Sequence, residues 1–73
     1  MPNPAHDFTN VIIGYDYMNG TATLVDLSGR VLLQIPISSR TVPIDLSSYP
    51  DGVYVVNIKT EKGSEGVKII KGN

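Results

Sequence analysis

The chain has 73 residues, no cysteine, six basic against seven acidic side chains and a net charge of −1. A chain this short makes one small domain with a limited core, and without cysteine no disulfide braces it. The charges are scattered, so no basic cluster exists to hold a phosphate backbone and nucleic acid is excluded as a partner.

An apolar share of 41 %, rich in Ile, Val and Leu, argues for an ordered core rather than disorder. Residues 1–6 read as the end of an interdomain linker, stiffened by Pro2 and Pro4, and residues 7–73 as the domain itself. Met1 directly before Pro2 reads as an added start residue on a piece of a longer protein. No signal-peptide pattern is present. The longest apolar run, Val53-Tyr54-Val55-Val56, is far short of the roughly 20 residues a membrane-spanning helix needs.

Turn residues then punctuate the chain at nearly even intervals: Asn19-Gly20, Ser28-Gly29, Ser38-Ser39, Pro50-Asp51-Gly52 and Lys62-Gly63-Ser64. Asn19-Gly20 predicts a tight hairpin turn with positive φ angles. Pro50-Asp51-Gly52 predicts a type I turn closed by a left-handed glycine. Between the turns, six strands are predicted over about 7–14, 20–27, 30–37, 41–46, 52–60 and 65–71. Period-two alternation sets their faces. Val31, Leu33, Ile35 and Ile37 share one side, as do Val42, Ile44 and Leu46, and then Tyr54, Val56 and Ile58. Leu46 to Tyr49 has room for one helical turn at most. Pro36 donates nothing to a ladder, so its end of the strand belongs at a sheet edge or a bulge. The expected fold is all-β, a small antiparallel Ig-like β-sandwich of six to seven strands, the seventh lying ahead of Pro2 in a longer protein.

Little in the sequence points to chemistry. His6 is the only histidine and lies in the linker; the serines fall at turns, where backbone geometry explains them. No nucleophile–base pair is legible, so the chain reads as a non-enzyme with no cofactor. One histidine and no cysteine do not make a zinc site. Asp16, Asn19 and Asp26 are the one trio that a first hairpin brings together for calcium, although turn formation accounts for them as well. Asn19-Gly20-Thr21 matches a glycosylation sequon, and the turn reading explains it better. Tyr15 and Tyr17 share a face of a short segment and are the candidates for an exposed sugar-stacking platform. Tyr54 reads as core, and Tyr49 as cover for one end of it.

Four short pieces stand in a telling order: Pro2-Asn3-Pro4-Ala5, then Asp26-Leu27-Ser28-Gly29-Arg30-Val31, then Gly52-Val53-Tyr54-Val55-Val56, then Lys68-Ile69-Ile70-Lys71. Together they resemble the C-terminal sorting domain, type A, of cargo proteins of the Bacteroidetes type IX (Por) secretion system. The resemblance covers almost the whole chain. Met1 stands where an aromatic residue is usual, and Tyr49 where leucine is more usual. It implies translocon recognition through Pro2, Asn3, Pro4, Asp26, Gly29, Arg30, Gly52, Tyr54, Lys68, Ile69, Ile70 and Lys71. It also implies a parent cargo protein N-terminal to this segment, transit through the periplasm, and partners in the type IX translocon and a surface sortase. Delivery then ends at the cell surface or in the medium. The terminal strand, as an open edge, further predicts a homodimer of the isolated segment. The competing reading is a fibronectin-like or carbohydrate-binding accessory module of a secreted enzyme, for which Tyr15, Asp16 and Tyr17 are the residues to watch.

Overall fold

In the computed structural model, which describes residues 7–72, all six predicted strands form and no helix occurs among the described residues. They are β1 (Phe8–Ile12), β2 (Gly20–Asp26), β3 (Val31–Ile37), β4 (Thr41–Asp45), β5 (Gly52–Thr60) and β6 (Gly63–Lys71). β1 stops earlier than its alternation predicts, and β6 starts at Gly63 rather than at 65. The strands make two antiparallel sheets, one of β1 and β4, the other ordered β3-β2-β5-β6. This is the pairing of an Ig-like sandwich: the chain crosses between the sheets at β1–β2, β3–β4 and β4–β5, and the long terminal hairpin β5–β6 pairs onto the earlier hairpin β2–β3. The first strand of that plan, which flanks the position of β1, has no counterpart among the described residues. The predicted linker lies outside them.

The core is the space between the sheets. The small sheet and its flanks contribute Val11, Ile13, Val42, Ile44 and Leu46; the large sheet contributes Ala22, Leu24, Ile37, Tyr54, Val56, Ile58 and Ile69. No buried polar side chain interrupts it among the described residues. Such a layer of interlocked β-branched residues is the main source of stability in a domain of this size. The stripes of β4 and β5 point inward as their alternation predicts. Pro36 lies in β3, an edge strand, so its missing N–H interrupts no second ladder.

Two turn expectations and one face expectation are overturned. Asn19-Gly20 is not a hairpin turn, because β1 and β2 lie in different sheets, and positive φ is confined to Gly29 and Gly63 among the described residues. Gly20 instead opens β2 between Ile37 of β3 and Thr60 of β5. A Cβ there would lie 2.9 Å from Ile37 Cγ1 and 3.0 Å from Thr60 Cγ2. The requirement for glycine is lack of room, not backbone freedom. Gly52 is not left-handed either; it is already the first residue of β5, opposite Lys71. Finally, Val31 leaves the inward stripe of β3. Leu33 pairs with Leu24 and Val31 with Val25, so Leu32 is an unpaired extra residue. That bulge reverses the face of everything before it. Val31 is 59 % exposed, while Leu32 packs partly against the core.

Gly20→Ala is expected to cost about 1–3 kcal/mol, because the added methyl forces Ile37 and Thr60 apart. Gly14→Ala, where nothing lies within 4 Å of the new Cβ, is expected to change little. Urea unfolding of the two variants beside the parent chain checks the difference.

Candidate recognition surface

The motif residues converge because of strand register. Asp26 lies opposite Tyr54 across β2 and β5, and Tyr54 lies opposite Ile69 across β5 and β6. Gly52 lies opposite Lys71. Three motifs that are far apart in sequence therefore form one lateral row at one end of the sandwich. The start of β1, the β2–β3 turn, the β4–β5 loop and the end of β6 all meet there.

Each piece is held by its own local chemistry. The carboxylate of Asp26 organises the β2–β3 turn. Its Oδ1 accepts from the Ser28 N–H (3.0 Å), the Ser28 hydroxyl (2.6 Å) and the Arg30 N–H (3.0 Å). Arg30 Nε stands 3.3 Å from Asp26 Oδ2. Gly29, at φ +88°, takes the left-handed position that closes the turn at little steric cost. The β4–β5 loop repeats the device: Asp45 Oδ1 accepts from the Ser47 N–H (2.9 Å) and hydroxyl (2.6 Å). The tripeptide Asp-Leu-Ser occurs at both places, 26–28 and 45–47. That doublet was the legible signal for a second carboxylate-capped turn, and sequence reasoning missed it.

Tyr54 makes the corner at the start of β5. Its hydroxyl donates back to the carbonyl of Pro50, the tyrosine corner of Ig-like sandwiches. Tyr49 packs beside it, ring centroids 6.3 Å apart, and donates to the Leu32 carbonyl at 3.1 Å. Tyr49 thus covers the end of the core, as its place before the turn predicts, and it fastens the bulge of β3. Lys71 turns its ammonium onto the carbonyls of Leu46 (2.8 Å) and Tyr49 (2.5 Å). Between the two motif loops lies a shallow pocket of about 200 Å³, lined by residues that include Asp26, Arg30, Tyr49, Gly52 and Tyr54.

Burial sorts the candidate residues. Tyr54 and Ile69 are buried, so they shape the end from within. Arg30, Lys68 and Ile70 are exposed. On the outer face of the large sheet, Val31, Val25, Val55 and Lys68 form a row across all four strands, with Val53 opposite Ile70 beside it. Pro2, Asn3 and Pro4 lie outside the described residues.

The rival sites look different. Asp16 and Asn19 sit at the opposite end of β2 from Asp26, on the order of 20 Å away by strand rise, so the calcium trio does not assemble. Asp16 instead faces Arg40 at 3.6 Å. Among the described residues no three His, Cys, Asp or Glu side chains gather. Tyr15 and Tyr17 are half-buried against the core with their rings 69° apart, so they form no flat stacking surface. Their hydroxyls are engaged with Thr60 Oγ1 (3.3 Å) and the Ser39 carbonyl (2.5 Å). At that end Glu61 accepts from the Met18 N–H (2.6 Å) and the Asn19 N–H (3.0 Å), anchoring the β1–β2 loop.

The chain is thus a small Ig-like sandwich with four sequence motifs, at least three of which meet at one end. Residues 1–72 match the family described as secretion system C-terminal sorting domain, and the chain belongs to that family. It is a sorting signal for type IX secretion, and it implies export of the protein that carries it. The chain is also 33 % identical over 89 residues to the thiol protease/hemagglutinin PrtT of Porphyromonas gingivalis, a match that takes in 99 % of this chain and 10 % of that protein. The chain thus spans about a tenth of the length of that relative.

The turn carboxylates set an acid limit on stability. Asp26 is held below its ordinary value of 3.8, first by the Ser28 hydroxyl, then by the Arg30 N–H. Asp45 is lowered likewise by the Ser47 hydroxyl and N–H, with a smaller effect of the Lys71 charge. A lowered native pKa stabilises the fold above the unfolded value, and that contribution is lost as pH falls through the native value. The urea midpoint is expected to hold steady from neutral pH to about 5 and to fall below about 4. Asp26→Asn with Asp45→Asn should lessen that acid fall, the remainder coming from Glu61, which the Asn19 and Met18 N–H groups also hold below its ordinary value.

Proposed function

We propose that the motif end of the sandwich, with the exposed edge of β6 beside it, is the surface by which the type IX translocon takes hold of the exported parent protein. The observation that carries this reading is the row Asp26–Tyr54–Ile69, in which separate motifs meet through strand register. The exposed groups there, Arg30, Lys68 and Ile70, supply the contacts, and the buried ones hold them in place. β6 is an edge strand paired only with β5 among the described residues. Its outer N–H and C=O groups suit strand addition by a partner, with Lys68 and Ile70 giving selectivity.

In this reading the parent protein reaches the periplasm by the general export route, and the folded domain then engages the outer-membrane translocon. A surface sortase cuts in the linker that includes residues 1–6 and joins the mature protein to a lipopolysaccharide. The domain is the substrate of that step and supplies no catalytic group. The free edge of β6 also serves a homodimer of the isolated domain at high concentration. The half-buried, inclined rings of Tyr15 and Tyr17 favour this reading over a carbohydrate-binding module.

The test is localisation of an exported fluorescent reporter fused through a native-like linker to residues 2–73, in a Bacteroidetes host with and without the translocon. Surface or medium delivery that depends on the translocon is expected, and periplasmic retention in both strains would sink the proposal. Lys68→Glu reverses an exposed charge and should leave the fold intact while cutting delivery several-fold. Removal of residues 67–73, which deletes most of β6, should abolish delivery altogether.

A further inference from the structure

We infer that Lys71 is a positioning residue: its ammonium clasps the β4–β5 loop and so presents the motif end, instead of offering a charge to the partner. The inference rests on the reading that the motif end is the recognition surface. Lys71 and Lys68 belong to the same short motif, yet their surroundings differ. Lys68 lies on the outer face opposite Val55 and is exposed. Lys71 shares the inward face of β6 with buried Ile69, and its Nζ lies 2.8 Å from the Leu46 carbonyl and 2.5 Å from the Tyr49 carbonyl.

Those two carbonyls stand outside either sheet ladder. The loop they belong to connects the sandwich's two chain ends. The Leu46 N–H donates to the Asp7 carbonyl at 2.7 Å, where the described chain enters, while the Leu46 carbonyl accepts from Lys71, where it leaves. The Tyr49 N–H closes the turn on the same Leu46 carbonyl at 3.0 Å. Tyr49 then reaches Leu32, and Pro50 accepts from Tyr54. A charge-assisted donor that serves two carbonyls is a strong bond by protein standards. Lys71 therefore ties the last residues of β6 to the loop from which Tyr49 fastens the bulge and Pro50 receives the corner bond. A truncated chain loses the recognition end as well as an edge strand.

Two measurements on the 73-residue chain test this. The first uses the unaltered protein: brief acylation with an amine-reactive ester, read residue by residue by mass spectrometry. Lys71 is expected to react ~10-fold or more slowly than Lys68, in line with a donor held in a folded cluster. Equal rates would overturn the clasp, and no variant need fold for that result. The second is hydrogen exchange at the Leu46 and Tyr49 amides in Lys71→Met, which keeps the aliphatic stem and removes the ammonium. A rise of ~10-fold or more is expected from loss of a charged hydrogen bond, and unchanged exchange would overturn the clasp. Lys68→Met is expected to leave both amides as they were.

Delivery of the reporter fusions separates the two layers of the argument. Faster exchange with impaired delivery in Lys71→Met supports positioning. Faster exchange with normal delivery overturns the role of the motif end in recognition, because a loosened end would then be no handicap.

Discussion

The loop between β4 and β5 is where this sandwich is most at risk. Its backbone groups lie outside both ladders, yet it has to roof a core only two sheets thick. An unpaired backbone group near the core costs about as much as a lost hydrogen bond. The chain meets that demand with side chains: Lys71 for two carbonyls, Ser47 and Asp45 for the turn, Tyr54 for Pro50. With no disulfide and little apolar area, these bonds define where β5 begins. The position of β5 in turn sets the register of β2 and β6, and hence the meeting of the motifs.

The motif residues divide by depth. Tyr54 and Ile69 are inside and serve shape; Arg30, Lys68 and Ile70 are outside and are available to a partner. Asp26 and Gly29 stand between, as turn formers whose chemistry fixes where Arg30 points. A short sequence signature of this kind mixes residues that build a surface with residues that constitute it. Lys68 and Lys71 make the distinction plain, since two identical side chains three positions apart have opposite environments.

Alternation of β-branched residues made the strands and most of their faces legible, because a half-buried strand imposes a period of two whatever its neighbours are. The inward stripes of β4 and β5 followed directly. Val31 broke the rule because a bulge is a property of a strand pair: the extra residue at Leu32 becomes visible only when β3 is laid against β2. Asn19-Gly20 misled for a similar reason. The dipeptide favours a hairpin, but β1 and β2 belong to different sheets, and Gly20 is needed for the closeness of Ile37 and Thr60.

The sequence by itself determined the all-β class, the number and approximate limits of the strands, the core stripes, and membership of a sorting family through four ordered motifs. All of these are local or nearly local patterns, set by backbone geometry and side-chain periodicity. Tertiary structure alone decided which strands pair, that Asp26, Tyr54 and Ile69 share a row, and that Lys71 reaches back to Leu46. Those contacts join residues up to 40 positions apart, and nothing in the local chemistry of either partner specifies the other. Only pairing β2, β5 and β6 in register, and folding the β4–β5 loop over the end of the core, brings them together.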